Sequence, residues 1–138
     1  MAEDVRITIT EGNGRTLAST GSAWEPKMGY SRAVRAGSAV AVTGTVGLEA
    51  DGSFAPSLGA QTRRALTIIQ AAIEALGGRI EDVVRTRIYV TDIARWQEVA
   101  EVHGAVFRDI RPATTIVQVA RLIDDAALIE IEADAVLS

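Results

Sequence analysis

The chain has 138 residues, of which 48% are hydrophobic and 23% charged, and its net charge at pH 7 is −4. This length fits one domain, residues 1–138, with a core of its own. The chain has no cysteine, which excludes disulfides, a thiol nucleophile and thiolate metal sites. An acidic chain is poorly suited to nucleic acids, whose binding depends on neutralising phosphates. No apolar run is long enough for a membrane helix. We therefore expect a cytoplasmic protein with no nucleic-acid or membrane partner.

Residues 1–27 read as an N-terminal extension made of one strand and a loop. Alternating β-branched residues predict an edge strand over residues 5–10, and residues 12–14 read as a turn. Residues 15–29 are rich in Ser, Thr, Gly and Pro, which predicts a loop. Trp24 lies inside this loop, as a plug on the core or as one wall of a pocket.

The middle of the chain alternates between strand and helix patterns. Residues 30–36 and 40–45 read as two strands joined by a Gly37-Ser38 hairpin, and Gly44 allows close approach to the backbone. From Ser57 the apolar period becomes 3.6 and ends at Gly77. The polar face of this helix is predicted to be solvated and consists of Gln61, Arg63, Arg64, Gln70 and Glu74.

The second half of the chain repeats this order. Residues 83–91 read as a strand, and Asp92 can cap a helix that runs to about residue 108. The apolar side of this helix is predicted to hold Trp96, Val99, Ala100, His103, Val106 and Phe107. His103, the single histidine, therefore reads as a partly buried packing residue. Residues 114–120 are β-branched or small, and residues 128–136 alternate with period two between an apolar and an acidic face.

These elements predict an α+β fold in which about six strands form one mixed sheet and two helices pack on one face of it. In the strand over residues 83–91, Val84, Thr86, Ile88 and Val90 are predicted to face the helices. The opposite face is predicted to carry Arg85, Arg87, Tyr89, Thr114, Ile116, Gln118, Glu130 and Glu132.

Several segments resemble the RidA/YjgF family, whose members are small trimeric proteins and in many cases enamine or imine deaminases. The resemblance covers roughly residues 28–138 and rests on matching segments at residues 29–34, 42–44, 112–113, 117–122 and 129–133. It implies a chorismate mutase-like fold, a homotrimer with clefts between subunits, and no cofactor or metal.

The resemblance also implies the residues of the cleft. Glu130 and Tyr30 match the catalytic positions, and Thr43, Gly44 and Tyr89 match positions that bind substrate. Two further substrate-binding positions differ from the family pattern. Thr114 stands where deaminating members have an arginine that grips the substrate carboxylate, and Ile116 stands where they have a cysteine. A threonine hydroxyl cannot supply a forked, permanently charged donor.

Arg87, two residues before Tyr89, is a candidate to replace the missing cation. It is predicted to lie opposite Glu130 and to meet an anionic small molecule in the cleft. Alternatively, it forms an ion pair with Glu130 or Glu132 across the sheet.

Two functions from different classes follow. The first is hydrolysis of an imine, an enamine or a related C=N or C=C bond, with low or absent activity on 2-aminoacrylate because of Thr114. The second is a ligand-binding or regulatory trimer without catalysis. The acidic charge and the single histidine argue against RNA cleavage.

Overall fold

A computed structural model describes residues 4–138 and shows one seven-stranded mixed sheet. The strand order is β1-β2-β3-β4-β7-β5-β6. Strands β5 and β6 pair in parallel, and the other neighbouring pairs are antiparallel. The strands are β1 Thr8–Gly12, β2 Arg15–Ser19, β3 Ala33–Ala36, β4 Ala39–Val46, β5 Val83–Val90, β6 Ala113–Gln118 and β7 Ile129–Val136.

Strand β2 lies in the segment that was predicted to be a loop, which raises the strand number from six to seven. It pairs with β1 on one side and β3 on the other, so tertiary pairing overrides a weak local pattern. The turn before it, at Asn13 and Gly14, has φ values of 55° and 73°. Positive φ values at both central residues are typical of the two-residue turns that connect the strands of a β-hairpin, because the twist of these turns matches that of the strands.

Residues 4–138 contain three α-helices that lie between strands in chain order: α1 Trp24–Met28 follows β2, α2 Leu58–Ala75 follows β4 and α3 Trp96–Phe107 follows β5. The predicted start of α2 is confirmed, because the Ser57 side chain accepts a hydrogen bond of 3.1 Å from the Ala60 N–H. Its predicted end is confirmed by Gly77, whose φ is 92°. Asp92 caps a short 3-10 turn that precedes α3.

The core lies between α2, α3 and one face of the sheet. Its buried members form a single cluster that includes Val42, Leu66, Ile69, Ile73, Ile88, Val90, Val99, Phe107, Ile129 and Ile131. The predicted apolar side of α3 is wrong at two positions, because Trp96 and Ala100 are exposed whereas Val102 is buried. Trp24 is 48% exposed with the Lys27 Nζ 5.5 Å from its ring centroid, so it does not plug the core.

The polar face of α2 is not fully solvated, which corrects the prediction. Gln61 is buried, and its side chain bonds to the backbone of Ala55 and Leu128 in two different loops. Arg64 is also buried and donates to the Leu48 carbonyl oxygen at 2.9 Å. Both side chains fix loops to the helix by satisfying backbone groups that burial would otherwise leave unpaired.

The predicted side-chain phase of β5 is wrong at its first residues. Val83 is buried and Val84 is 47% exposed, because a register shift between Val83 and Arg85 interrupts pairing with β7. Beyond this irregularity, Thr86, Ile88 and Val90 face the core as predicted.

The predicted side-chain phase of β6 is wrong along the whole strand. Thr114 and Ile116 pair in register with Thr86 and Ile88, which are buried on the helix side. Register partners in neighbouring strands share a face. Thr114, Ile116 and Gln118 therefore lie on the helix face, and Thr115 and Val117 take their place on the open face.

Candidate functional site

The carboxylate of Glu130 lies directly over the backbone of Gly44. Strand β4 contains a bulge in which Thr43 and Gly44 together stand opposite Glu132 of β7. A Cβ atom on residue 44 would lie 2.6 Å from the Glu130 Oε2 atom. The Glu130 carboxylate can therefore occupy this position only because Gly44 has no side chain.

Glu130 is half-buried, and in residues 4–138 its carboxylate has no hydrogen-bond partner. Burial raises the pKa of Glu130, because a desolvated carboxylate favours its neutral form. The positive charge of Arg32 opposes this effect, and the negative charge of Glu132 adds to it. A half-buried carboxylate with a raised pKa and no fixed partner is suited to proton transfer.

Arg32, immediately before β3, brings a buried cation to the same bulge. Its Nη1 donates to the Gly44 carbonyl oxygen at 2.9 Å and to the Thr45 Oγ1 at 3.2 Å. Its Nη2 donates to the Tyr30 hydroxyl at 3.4 Å, and the guanidinium carbon lies 5.7 Å from the Tyr30 ring centroid. The Arg32 side chain is only 9% exposed, and its Nε has no hydrogen-bond partner among residues 4–138.

Among the ion pairs of the described residues, none joins Arg32 to Glu130. Arg32 therefore acts on Glu130 through space, and both groups retain hydrogen-bonding capacity. Sequence reasoning assigned Arg32 to the hairpin strand over residues 30–36 and preferred Arg87 as the cation of the cleft. The available signal was strand alternation, because the small apolar Ala33 faces the core and Arg32 therefore lies on the opposite side.

Arg87 does not lie opposite Glu130, so that prediction is wrong. The register pairs Arg87 with Glu132 and Tyr89 with Glu130. The Arg87 Nη1 atom instead lies 3.1 Å from an Asp134 oxygen, and the two side chains are 40% and 41% exposed. Its ion pair is thus with neither of the glutamates that were expected.

Tyr89 and Glu132 form a hydrogen bond in which the tyrosine hydroxyl donates to the carboxylate. This bond raises the pKa of Tyr89, because losing the proton would place two negative charges side by side. Tyr89 therefore stays neutral next to the Glu130 position. The structure thus brings Tyr30, Gly44, Tyr89 and Glu130 to one face, with Thr43 in the adjoining bulge.

Besides Arg87, two predicted site residues, Thr114 and Ile116, are not brought to Glu130 within one protomer. Both lie on the helix face, where Ile116 packs against the core. The Thr114 hydroxyl lies 2.8 Å from the Thr86 hydroxyl, which lies 3.0 Å from the His103 Nε2. His103 also packs on Phe107 at a ring-centroid distance of 4.6 Å. The prediction that His103 is partly buried is confirmed.

Residues 4–138 hold no group of three or more His, Cys, Asp or Glu side chains that could bind a metal ion. In the same residues, no helix combines the length and apolar character needed to span a membrane.

Comparison with known proteins gives consistent matches. The sequence model of the family described as Endoribonuclease L-PSP matches residues 20–137. A crystal structure of a YjgF family member from Mycobacterium tuberculosis is 50% identical with a TM-score of 0.83, and the match covers 89% of this chain and 99% of that chain. The 2-iminobutanoate/2-iminopropanoate deaminase of Salmonella typhimurium is 35% identical over 111 residues, which are 78% of this chain and 86% of the relative.

A third match is the crystal structure of E. coli TdcF with bound serine, at 30% identity and a TM-score of 0.75, covering 79% of this chain and 88% of that chain. Together with the architecture, these matches define a small α+β protein with one open mixed sheet. The chain belongs to the RidA/YjgF family. The resemblance and the fold class that the sequence predicted are both confirmed.

Proposed function

We propose that this protein hydrolyses the C=N bond of a small imine, or of the enamine that tautomerises to it, in a cleft between subunits of a homotrimer. The observation that carries the proposal is the Glu130 carboxylate held over Gly44 with a raised pKa and no hydrogen-bond partner. The deaminase name of the Salmonella typhimurium relative and the serine bound to E. coli TdcF support a small substrate.

Glu130 serves as base and then as acid in this proposal. Water attacks the carbon of the protonated imine, the π electrons move to nitrogen, and the ionised Glu130 carboxylate takes a water proton. A carbinolamine forms. Glu130 then returns that proton to the nitrogen, the C–N bond breaks as the C=O bond forms, and ammonia leaves. The hydroxyl proton of the carbinolamine must go to a further acceptor.

Arg32 and Tyr30 supply the fixed charge and the dipole beside Glu130. The buried guanidinium limits the rise in the pKa of Glu130, so a carboxylate is available to take the proton. No carboxylate of the described residues forms an ion pair with Arg32, whereas Arg87 is paired with Asp134. We expect Arg32, in place of the arginine absent at position 114, to favour anionic substrates.

A cleft between subunits explains why the site residues divide over two faces of the sheet. Glu130 lies on the open face, whereas Thr114 and Ile116 lie on the helix face of the edge strand β6. One protomer cannot present both sets to a small molecule. Two protomers can, if β6 of one is adjacent to the open face of the next.

Complementation between inactive variants tests this assembly. Glu130→Gln and Thr114→Trp proteins are purified separately, then mixed, unfolded and refolded together, with each variant refolded alone as control. Mixed trimers regain activity, because some clefts combine a normal Glu130 with a normal Thr114. A monomer in light scattering, or mixtures no more active than either variant alone, would contradict the shared cleft.

The reaction itself is tested with imines made in situ by an amino-acid oxidase. The rate of imine loss with the protein is compared with spontaneous hydrolysis, for imines with and without a carboxylate. We expect acceleration, and we expect low or absent activity on 2-aminoacrylate because of Thr114. Binding without turnover of any imine would favour the non-catalytic trimer.

Cleavage of RNA, which the description of the matching family model names, has little support in this chain. The net charge is −4, and the single histidine is tied to Thr86 and Phe107. Phosphate binding needs a basic surface that the composition does not favour.

A further inference from the structure

Three side chains form a continuous hydrogen-bonded chain from the interior to the sheet edge. His103 of α3 lies 3.0 Å from Thr86 of β5, and Thr86 lies 2.8 Å from Thr114 of β6, measured between the Nε2 and Oγ1 atoms. Thr86 is fully buried, His103 is half-buried and Thr114 is exposed. Each hydroxyl can donate and accept at once, so the chain can carry a proton in either direction.

The chain extends farther than packing requires. A single hydroxyl, that of Thr86, satisfies the buried imidazole nitrogen. Thr114 is exposed, so solvent can satisfy its hydroxyl without Thr86. Its hydroxyl also lies 3.3 Å from the Pro112 carbonyl oxygen, and proton transfer along the chain requires that it donate to the nearer Thr86 hydroxyl at 2.8 Å. A connection between a half-buried base and a surface hydroxyl is therefore a feature that stability alone does not explain.

His103 is in the correct state to accept a proton. Burial lowers its pKa, so the imidazole is neutral at pH 7. Burial is the whole cause: no charged side chain of α2, α3, β5 or β6 among residues 4–138 shifts this pKa. Phe107, whose ring plane makes an angle of 41° with the imidazole, packs on it and restricts its orientation.

We propose that Thr114, Thr86 and His103 form a proton relay, which is the second acid–base group of the site. This proposal rests on the proposed imine hydrolysis and names the acceptor that the reaction lacks. As the carbinolamine collapses, its hydroxyl proton passes to the Thr114 oxygen. The Thr114 proton passes to the Thr86 oxygen, and the Thr86 proton passes to the His103 Nε2.

The relay is balanced in atoms and charge. One O–H bond of the carbinolamine breaks as its electron pair forms the C=O bond, and one N–H bond forms on the imidazole. The electron pair of the C–N bond leaves with ammonia, which carries the proton that Glu130 returned. The imidazolium then releases its proton to solvent. The mechanism requires the tautomer that carries its hydrogen on Nδ1, so that Nε2 can accept.

Thr86 variants test the relay, because this residue is buried between the other two members and touches no substrate. Thr86→Val removes the hydroxyl with little change in shape, and Thr86→Ser keeps it. We expect kcat of the valine variant for imine hydrolysis to fall roughly a hundredfold, which is the low end for acid–base groups. The serine variant should restore most of it, and KM should change little.

Two further readouts separate a relay from a packing role. In the wild type, the acidic limb of the kcat profile should reflect the titration of both Glu130 and His103. Thr86→Val should remove the contribution of His103 and leave that of Glu130. Nitrogen NMR of the single histidine should show an unprotonated Nε2 in the wild type. A matched variant, Ser57→Ala, removes a helix-capping hydroxyl distant from the site and should leave the profile unchanged.

The possible outcomes distinguish this proposal from the one it rests on. Wild-type hydrolysis with an unchanged pH profile in Thr86→Val, or with a protonated Nε2, overturns the relay and leaves Glu130 chemistry intact. Absence of hydrolysis in the wild type overturns both. If Thr86→Val does not fold, Thr114→Val, at an exposed position, gives the same test of the pH profile.

Discussion

The two faces of the sheet carry different kinds of polar group near the site. On the open face, charge predominates: the Glu130 carboxylate and the Arg32 guanidinium meet at a backbone bulge around Gly44. On the helix face, the polar groups are neutral: two hydroxyls and an imidazole are linked by hydrogen bonds. The buried charge of Arg32 is accommodated by its hydrogen bonds to Gly44, Thr45 and Tyr30, whereas the groups on the helix face avoid charge altogether.

This difference assigns distinct roles to the two faces. The open face can stabilise charge that develops in a reaction, because its charged groups are fixed in place before reaction. The helix face can move a proton with no permanent charge in the core. A substitution on one face leaves the other face intact, so the unchanged face serves as an internal reference.

The largest effect is expected for Glu130→Gln. The amide keeps the shape of the side chain over Gly44 but cannot take a proton from water. We expect kcat for imine hydrolysis to fall by about 10²–10⁴, as for the loss of a general acid–base group. Steady-state kinetics over a range of pH measure this, and Glu132→Gln is the neighbouring control. If the Glu130→Gln protein remained active, Glu130 and the open face would have no part in the reaction.

The second largest effect is expected for substitution of the cation, Arg32. Arg32→Gln should weaken binding of an anionic imine or a carboxylate inhibitor roughly tenfold to a hundredfold, since a charge-assisted contact contributes about 1.5–3 kcal/mol. Calorimetry measures the affinity, and a melting curve shows whether the bulge is retained.

Arg87→Gln is the matched control for the cation. Its ion pair with Asp134 is surface-exposed, and such a pair contributes at most about 1 kcal/mol. If Arg87→Gln abolished anion binding and Arg32→Gln did not, the original prediction from sequence for Arg87 would be right and Arg32 would have only a structural role.

Gly44→Ala should separate function from folding. The new Cβ atom would displace the flexible end of Glu130 and no backbone atom, and residue 44 has no positive φ. We expect kcat/KM to fall roughly tenfold to a hundredfold, as when a reacting group is misplaced by about 1 Å. The melting temperature should change little.

The control for Gly44→Ala is Gly59→Ala in α2. Its Cβ would meet only Val102 at 3.9 Å, and alanine favours a helix over glycine by about 1 kcal/mol. Activity should be unchanged and stability should rise. A Gly44→Ala protein that loses stability but keeps its activity would make Gly44 a residue of the fold alone.

The sequence predicted most reliably those elements in which one face is buried along the whole length. Strand β7 alternates between buried and acidic residues as its pattern predicted, and so Glu130 was assigned to the correct face. Strand β6 is an edge strand with exposed residues on both sides. Its residues show no alternation, so nothing in the sequence could indicate the face to which Thr114 belongs.

Bulges explain most of the remaining errors at the site. A register shift next to Val83 reversed the predicted phase of Val84, and another brings Thr43 and Gly44 together opposite one residue. This second bulge turns the Gly44 carbonyl oxygen toward Arg32. A bulge depends on the pairing of two distant strands, so it has no local sequence pattern apart from a permissive glycine.

The smallest effect expected is a gain in stability from the same change that removes activity. Burial raises the folded-state pKa of Glu130, so folding disfavours the ionised carboxylate. The stability that this group contributes is therefore fully present below its unfolded pKa, and is lost as the pH rises through the folded pKa. At pH 7 the wild type bears the full cost of the desolvated charge, whereas Glu130→Gln does not. We expect the melting temperature of the variant to exceed that of the wild type by a few degrees at pH 7.

The pH dependence of the difference in melting temperature tests this prediction most directly. The gain should shrink as the pH falls through the folded-state pKa of Glu130 and disappear once Glu130 is protonated in both states. Changes on the helix face should depend on pH in the opposite sense. His103 has a lowered folded-state pKa, so the stability it contributes is present above its unfolded pKa and is lost as the pH falls through the folded value. Melting curves of the wild type, Glu130→Gln and His103→Asn between pH 4 and 8 measure both trends. A Glu130→Gln protein less stable than the wild type at pH 7 would contradict this prediction. The attraction between Arg32 and the carboxylate would then outweigh the cost of desolvation, and Glu130 would stabilise the fold.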